Sequence, residues 1–230
     1  MPHSPLADTV TDRPTVVYAA AAEPGRAGAM RAYMRDMAPF LGLTTPVRRG
    51  LSRTVRDGLP RPGGADRTAI ALRCRRLPER EYHYCAVDLL RRHVTYCSSG
   101  FLPVVRHLLT TVPRWDTVDV LAAHVVGGPV AADRGLTAGM DARIADDDLW
   151  LVRTALLHQP RYRERTDTDR LFGYRPRRSG HPDFFVREAI GWCLRAYAKT
   201  DPGAVRAFVA AHGQALAPLS AREALRNTGP

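Results

Sequence analysis

The chain has 230 residues, 45% of them hydrophobic and 25% charged, with a net charge of +11 and a pI near 10.2. That balance excludes a disordered polymer and fits a globular protein able to bury a core as one extended domain or two small ones, while the excess charge points to nucleic acid or another anionic partner. No apolar run approaches the roughly 20 residues of a membrane helix, and the absence of a P-loop, GxSxG or HExxH sets aside the common NTPase, serine-hydrolase and zinc-protease designs.

In chain order, residues 1–12 are polar and contain proline, which predicts a frayed start, with a short helix through Thr15–Ala22 ended by Pro24 and Gly25. Met30, Tyr33, Met34 and Met37 give helical spacing over Gly28–Ala38, stopped before the Gly42 and Pro46 punctuation. Thr45-Pro46 opens the next helix, with proline at its first position, running to about Asp57. The Gly58–Gly64 stretch GLPRPGG is the plainest loop and a weak internal boundary. From there helices and short loops alternate to the end. Expected starts are Asp66, Pro78-Glu79, Ser98 or Ser99, Asp116 or Thr117, Asp146–Asp148, Thr166 or Asp167, His181-Pro182-Asp183, Asp201-Pro202 and Ser220. Most of these supply a capping oxygen or early acidic charge where the helix dipole favours it. No alternating strand pattern longer than about four residues is present.

Four of these helices are variations on one another. Ala86 in EYHYCAVDLL, Ala122 in TVDVLAAHVV, Ala155 in LVRTALLHQ and Ala189 in FVREAIGWCL align at steps of 36, 33 and 34 residues. A fixed period of that size marks stacked helix pairs, since one pair cannot bury its apolar face alone. The expected fold is therefore an all-α helical-repeat solenoid, whose concave surface would carry the basic charge.

Lys199 is the only lysine among the 34 basic residues. Codon usage in a GC-rich genome accounts for part of that bias, and arginine suits bidentate phosphate binding. Cys74, Cys85, Cys97 and Cys193 form no CxxC pair, and His83 and His93 near two of them fit no familiar zinc spacing. Free thiols are expected and no metal site. With no signal-peptide pattern, they predict a cytoplasmic protein.

Three segments could carry chemistry. Trp115 and Asp119 in WDTVD are four apart and share a face if the helix begins by Trp115; helix capping by Asp119 and core packing by Trp115 are the competing readings. Arg153 sits among Leu151, Val152, Ala155 and Leu156, where a cation must reach solvent or pair with an anion such as a phosphate. Trp192 lies three beyond its repeat alanine and Asp119 three before its own, so stacking could bring both to one surface, with a core tryptophan as the alternative. A Schiff-base lyase needs an amine, and Lys199 sits in the exposed-looking helix end AKTDP, so no lyase activity is expected.

At these residues the chain resembles the AlkD family of HEAT-like-repeat DNA glycosylases. The stretches MRAYMRDMAPFLGLTTPVRR, LPEREYHYCAVDLL, WDTVD, IADDDLWLVRTALLHQ, HPDFFVREAIGWCLRAYAKTDP and LAPLSAREAL lie in the family's order over roughly residues 28–226. The resemblance implies excision of cationic N3- or N7-alkylpurines from duplex DNA. It places the catalytic carboxylate on Asp119, the lesion-facing aromatics on Trp115 and Trp192, and DNA contacts on Arg153 and Tyr33. Most glycosylases flip the base into a pocket; the resemblance implies a different tactic, in which the concave surface grips the duplex backbone and the lesion is not enclosed. Three departures bear on lesion preference: Arg114 where a second tryptophan often stands, Arg75 in place of an aromatic before LPERE, and Pro160 after HQ.

Together these readings give residues 1–27 as an N-terminal extension, 28–226 as a single helical-repeat glycosylase domain and 227–230 as a tail. The expected activity is a monofunctional glycosylase without metal or organic cofactor, monomeric, with alkylated double-stranded DNA as partner. A self-resistance glycosylase for bulky genotoxin adducts and a non-catalytic DNA-binding scaffold are the alternatives.

Overall fold

The computed structural model describes residues 4–96, 99–174 and 178–229. Every regular element among them is helical, and the chain is an all-α helical repeat. None of these helices is long and apolar enough to cross a membrane. The helices divide into two compact units, Met1–Val104 and Val105–Pro230.

The first unit holds α1 (Pro5–Ala20), α2 (Pro24–Tyr33), α3 (Thr45–Arg56), α4 (Gly64–Arg76) and α5 (Arg80–Arg92). In place of a frayed start, α1 begins at once, because Ser4 Oγ accepts from the Ala7 amide at 3.0 Å and itself donates to Asp66. Pro14 lies inside this helix, where a missing N–H normally ends one. Burial of Ala7, Val10, Pro14 and Tyr18 as α1 packs on α3 and α4 offsets that loss. The second helix starts and stops earlier than its methionine spacing suggests. Arg35 and Asp36 both adopt φ near +56°, a left-handed turn that ends the helix at Tyr33.

Glu81, on the first turn of α5, is fully buried and binds three successive amides: Leu41 at 3.0 Å, Gly42 at 2.9 Å and Leu43 at 3.1 Å. That clamp fixes the loop leading into α3. Gly42 sits in it at φ +84°, where a Cβ would lie 2.3 Å from the Glu23 carbonyl. Cys74 and Cys85 are buried free thiols, whereas Cys97 lies outside the described residues.

Most of the second unit follows α6 (Leu102–Thr110), which straddles the boundary. A continuous rod comprises α7 (Trp115–Val120), a π-helical segment (Leu121–Val126) and α8 (Gly127–Ala132). Next come α9 (Thr137–Ile144), α10 (Leu149–Leu157), α11 (Thr168–Gly173), α12 (Phe184–Tyr197), α13 (Pro202–His212) and α14 (Pro218–Ala224). Asp148, Asp167, Asp183 and Asp201 cap α10 to α13 with their side chains, as the acidic starts predict. Ser220 does not open α14; Pro218 does, and the Ser220 hydroxyl donates to the Arg187 carbonyl at 2.7 Å.

The repeat alanines are core residues: Ala86, Ala122, Ala155 and Ala189 are each at most 4% exposed. In the second unit α10 packs against α7, the π segment and α12, and α12 packs against α14. Small residues set these approaches. A Cβ on Gly191 would lie 2.5 Å from Glu223 Cβ, and one on Gly127 would lie 2.2 Å from the His158 carbonyl oxygen.

Candidate active site

The site grows from three consecutive repeats of the second unit. Asp119 stands three residues before its repeat alanine, Arg153 two before, and Glu188 one before. Their separations of 34 and 35 residues match the repeat, so stacking α7, α10 and α12 brings one charged side chain from each to a common point.

There Arg153 meets Asp119 in a two-point pair, Nε donating to Oδ1 at 2.7 Å and Nη2 to Oδ2 at 2.8 Å. Its remaining nitrogen, Nη1, donates to the Phe185 carbonyl and to Glu188 Oε2, the latter at 3.2 Å. The Arg153 side chain is 0% exposed, while Asp119 and Glu188 keep 22% and 18%. Burying a guanidinium is tolerable only with its N–H groups engaged, and here every one of its nitrogens has an acceptor.

The sequence reading expects a DNA contact at Arg153, and the structure places its guanidinium against Asp119, Glu188 and the Phe185 carbonyl. The fully buried guanidinium holds both Asp119 oxygens and so orients that carboxylate. The same geometry sets aside the capping reading of Asp119. Helix α7 starts at Trp115 without a side-chain cap, and both Asp119 oxygens accept from Arg153. A carboxylate has about four acceptor positions, so two oriented lone pairs remain.

Aromatic rings surround the cluster. The Arg153 guanidinium lies 5.2 Å from the Trp192 ring centre and 5.7 Å from that of Phe185, which packs on Trp150 at 5.1 Å. The Arg195 guanidinium lies 5.5 Å from the same Trp192 ring. Cation–π contact of this kind holds the indole in place. Trp192 and Trp115 are both half-buried, Trp115 one helical turn before Asp119 on the same face of α7.

Asp119 and Trp192 open onto a cleft of about 270 Å³, walled by Ala123, Leu157, Pro160 and Ala196 and edged by Arg195, Lys199 and Asn227. A second cleft of about 400 Å³, lined by Arg161, Arg163, Glu164 and Thr200, shares Pro160, Ala196 and Lys199 with the first. Lys199, the exposed helix end of the sequence reading, thus edges the cleft that holds the carboxylate. Burial pushes the Asp119 carboxyl above its ordinary value; Arg153 pulls against that shift and Asp116 adds to it. Glu188 is raised as well, first by burial and then by Asp119 and Glu223, with Arg153 opposing.

Tyr33 lies in the first unit at the end of α2, 75% exposed, with Met37 beyond it 53% exposed. Among the described residues no group of three His, Cys, Asp or Glu is placed to hold a metal ion. Glu188 and the basic edge are the residues that sequence reasoning missed. A signal existed for Glu188: like Arg153, it is a charge set beside a buried repeat alanine. The π-helical turn just after Asp119 gave no sequence signal, although such turns recur at functional sites.

A family model described as DNA alkylation repair enzyme matches residues 17–228. Among solved structures, the chain is similar to a predicted DNA alkylation repair enzyme from Enterococcus faecalis, with a TM-score of 0.79 and 27% identity over 89% of this chain and 95% of that one. No curated protein matches.

Proposed function

The chain belongs to the DNA alkylation repair enzyme family, and from that premise we propose that it is a monofunctional DNA glycosylase hydrolysing the N-glycosidic bond of cationic N3- or N7-alkylpurines in duplex DNA. The observation that carries the reading is the Asp119 carboxylate, held rigidly by a buried arginine at the mouth of an open cleft beside Trp192.

An alkylated purine leaves as a neutral base, so its departure needs no strong general acid. The bonding pair goes to the base nitrogen, and positive charge grows on C1′ and O4′ of the sugar. A fixed carboxylate stabilises that charge without having to reorganise, and the lone pairs of Asp119 left free by Arg153 can orient the attacking water. Trp115 and Trp192 frame the lesion with aromatic faces suited to a cation. The openness of the cleft suits a lesion approached from the duplex surface without being enclosed.

Residues 28–226 work as one glycosylase domain, and as a monomer. Tyr33 and the Arg195, Lys199, Arg161 and Arg163 edge meet the backbone, and Arg153 serves through Asp119. The chemistry asks for no metal or organic cofactor.

The test is release of alkylpurine from methylated duplex DNA by wild type and Asp119→Asn side by side. Wild type should release base, and D119N should lose about 100-fold or more of the rate while keeping DNA affinity. Full activity in D119N would sink the mechanism, and tight binding with no release by either protein would favour a scaffold.

A further inference from the structure

A two-point arginine–carboxylate pair is neutral as a whole, which poses a problem for a site meant to stabilise a cation. If Asp119 and Arg153 stood alone, the sugar and the charged purine would meet only a dipole. The third member of the cluster resolves this. Glu188 Oε2 accepts from Arg153 Nη1 at 3.2 Å, on the side away from Asp119, and the trio carries a net charge of −1. We propose that Glu188 is a positioning residue for Asp119: by drawing on the charge and fixing the rotamer of Arg153, it keeps the cluster anionic toward the cleft. The inference rests on the glycosylase reading for its purpose, though not for its physical content.

The surrounding groups leave that charge in place. On α7, Asp116 adds a second negative charge near Asp119. On α14, Glu223 faces Glu188 and is itself held by Arg195 at 2.6 Å and Arg226 at 3.2 Å. The Phe185 carbonyl takes the rest of Arg153 Nη1 and contributes no net charge. Glu188 therefore reaches Asp119 by two routes, through space as a like charge and through the guanidinium they share.

Glu188→Gln separates charge from shape, because the amide oxygen can still accept from Arg153. Without the negative charge Asp119 loses a repelling neighbour and has Arg153 to itself. Both changes favour its ionised form, so its titration moves to lower pH. The same neutralisation weakens the field on the oxocarbenium-like ion, and the rate plateau falls. A purely structural Glu188 would change thermal stability and leave the titration where it was.

The experiment follows the Asp119 side-chain carboxyl by carbon-13 NMR across pH, assigned with D119N, in wild type and E188Q. In parallel, single-turnover release of methylpurine from methylated duplex is measured over the same range. We expect the E188Q midpoint to fall by about half a pH unit or more, and the plateau rate by about tenfold. Glu188→Asp should restore most of both, with DNA affinity unchanged throughout. An unmoved midpoint in E188Q overturns the proposal whatever the rate does. A moved midpoint with no base release by wild type upholds the coupling and removes the glycosylase reading. Should E188Q not fold, wild type still decides: coupled carboxyls give the Asp119 resonance a second inflection as Glu188 titrates, and a single inflection overturns the proposal.

Discussion

Arg153 and Asp119 face each other across two repeats, guanidinium edge to carboxylate edge, at 2.7 and 2.8 Å. The cation is wholly buried and the anion keeps one side to the cleft. The pair is asymmetric in consequence: Asp119 lines the cleft, while Arg153 is buried behind it and sets the direction in which the carboxylate points.

Removing that support should cost more in stability than removing Asp119 costs in binding. Arg153→Ala strands two part-buried carboxylates beside an apolar wall, and a loss of about 3–5 kcal/mol is expected in urea melts. Arg153→Lys keeps the charge without the fork and should fall between wild type and alanine. Base release should drop in both, since one ammonium cannot fix both Asp119 oxygens. A lysine variant equal to wild type in both assays would show that the fork geometry is dispensable.

Two glycines of the second unit should respond in opposite directions to a single methyl group. Gly127→Ala places Cβ against the His158 backbone carbonyl, which has no flexible end to move aside, and should destabilise by about 1–3 kcal/mol. Gly139→Ala, within α9, meets nothing within 4 Å and should stabilise by about 0.5–1 kcal/mol through helix propensity alone. Thermal melts of the two variants, compared with wild type, check both signs.

Glu81 offers a test in the first unit. Three amides of the Leu41–Leu43 turn converge on one buried carboxylate. Glu81→Ala leaves them without acceptors, and a loss of about 3 kcal/mol or more is expected, given about 1–3 kcal/mol for each stranded group. Glu81→Gln retains one acceptor oxygen and should lose less. Faster amide exchange at Leu41, Gly42 and Leu43 would locate the effect, whereas protection unchanged in the alanine variant would contradict the clamp.

The stability of that unit should also depend on pH through His83. Burial, with Arg75 and Arg80 next, lowers its pKa from 6.5 to about 4. Arg80 Nη1 donates to Nδ1 at 3.0 Å and Nε2 donates to the Leu77 carbonyl at 2.8 Å, so the folded ring is neutral. Below pH 6.5 the unfolded chain takes up a proton that the folded ring refuses. Stability is therefore complete above 6.5 and drains away as pH falls toward 4, by about 3 kcal/mol for a shift of that size. Urea melts of wild type and His83→Gln between pH 7.5 and 4 should converge as acid is added. Curves that stay parallel would mean that His83 does not titrate as stated.

Much of this molecule was legible as sequence. The 33–36-residue spacing of Ala86, Ala122, Ala155 and Ala189 marked the buried positions, because only a small residue lets neighbouring helices approach. Asp148, Asp167, Asp183 and Asp201 marked helix starts, because capping depends on the few residues beside it. Trp115, Asp119 and Trp192 stood out by resemblance. Helix α1 did not: Pro14 argues locally against a helix, and only packing on α3 and α4 reverses the outcome.

What tertiary structure alone decided is which partners the buried Arg153 meets. From its own neighbours, Arg153 could reach solvent, bind a phosphate or pair with a carboxylate, and each satisfies the same local requirement that a buried cation find an anion. The choice was made by Asp119, 34 residues earlier, and Glu188, 35 later, which reach it only when three repeats stack. Helix starts and repeat spacing follow from short-range hydrogen bonding and side-chain size, which neighbouring residues fix. A charge pair depends on distance in space, and distance in space is what folding sets.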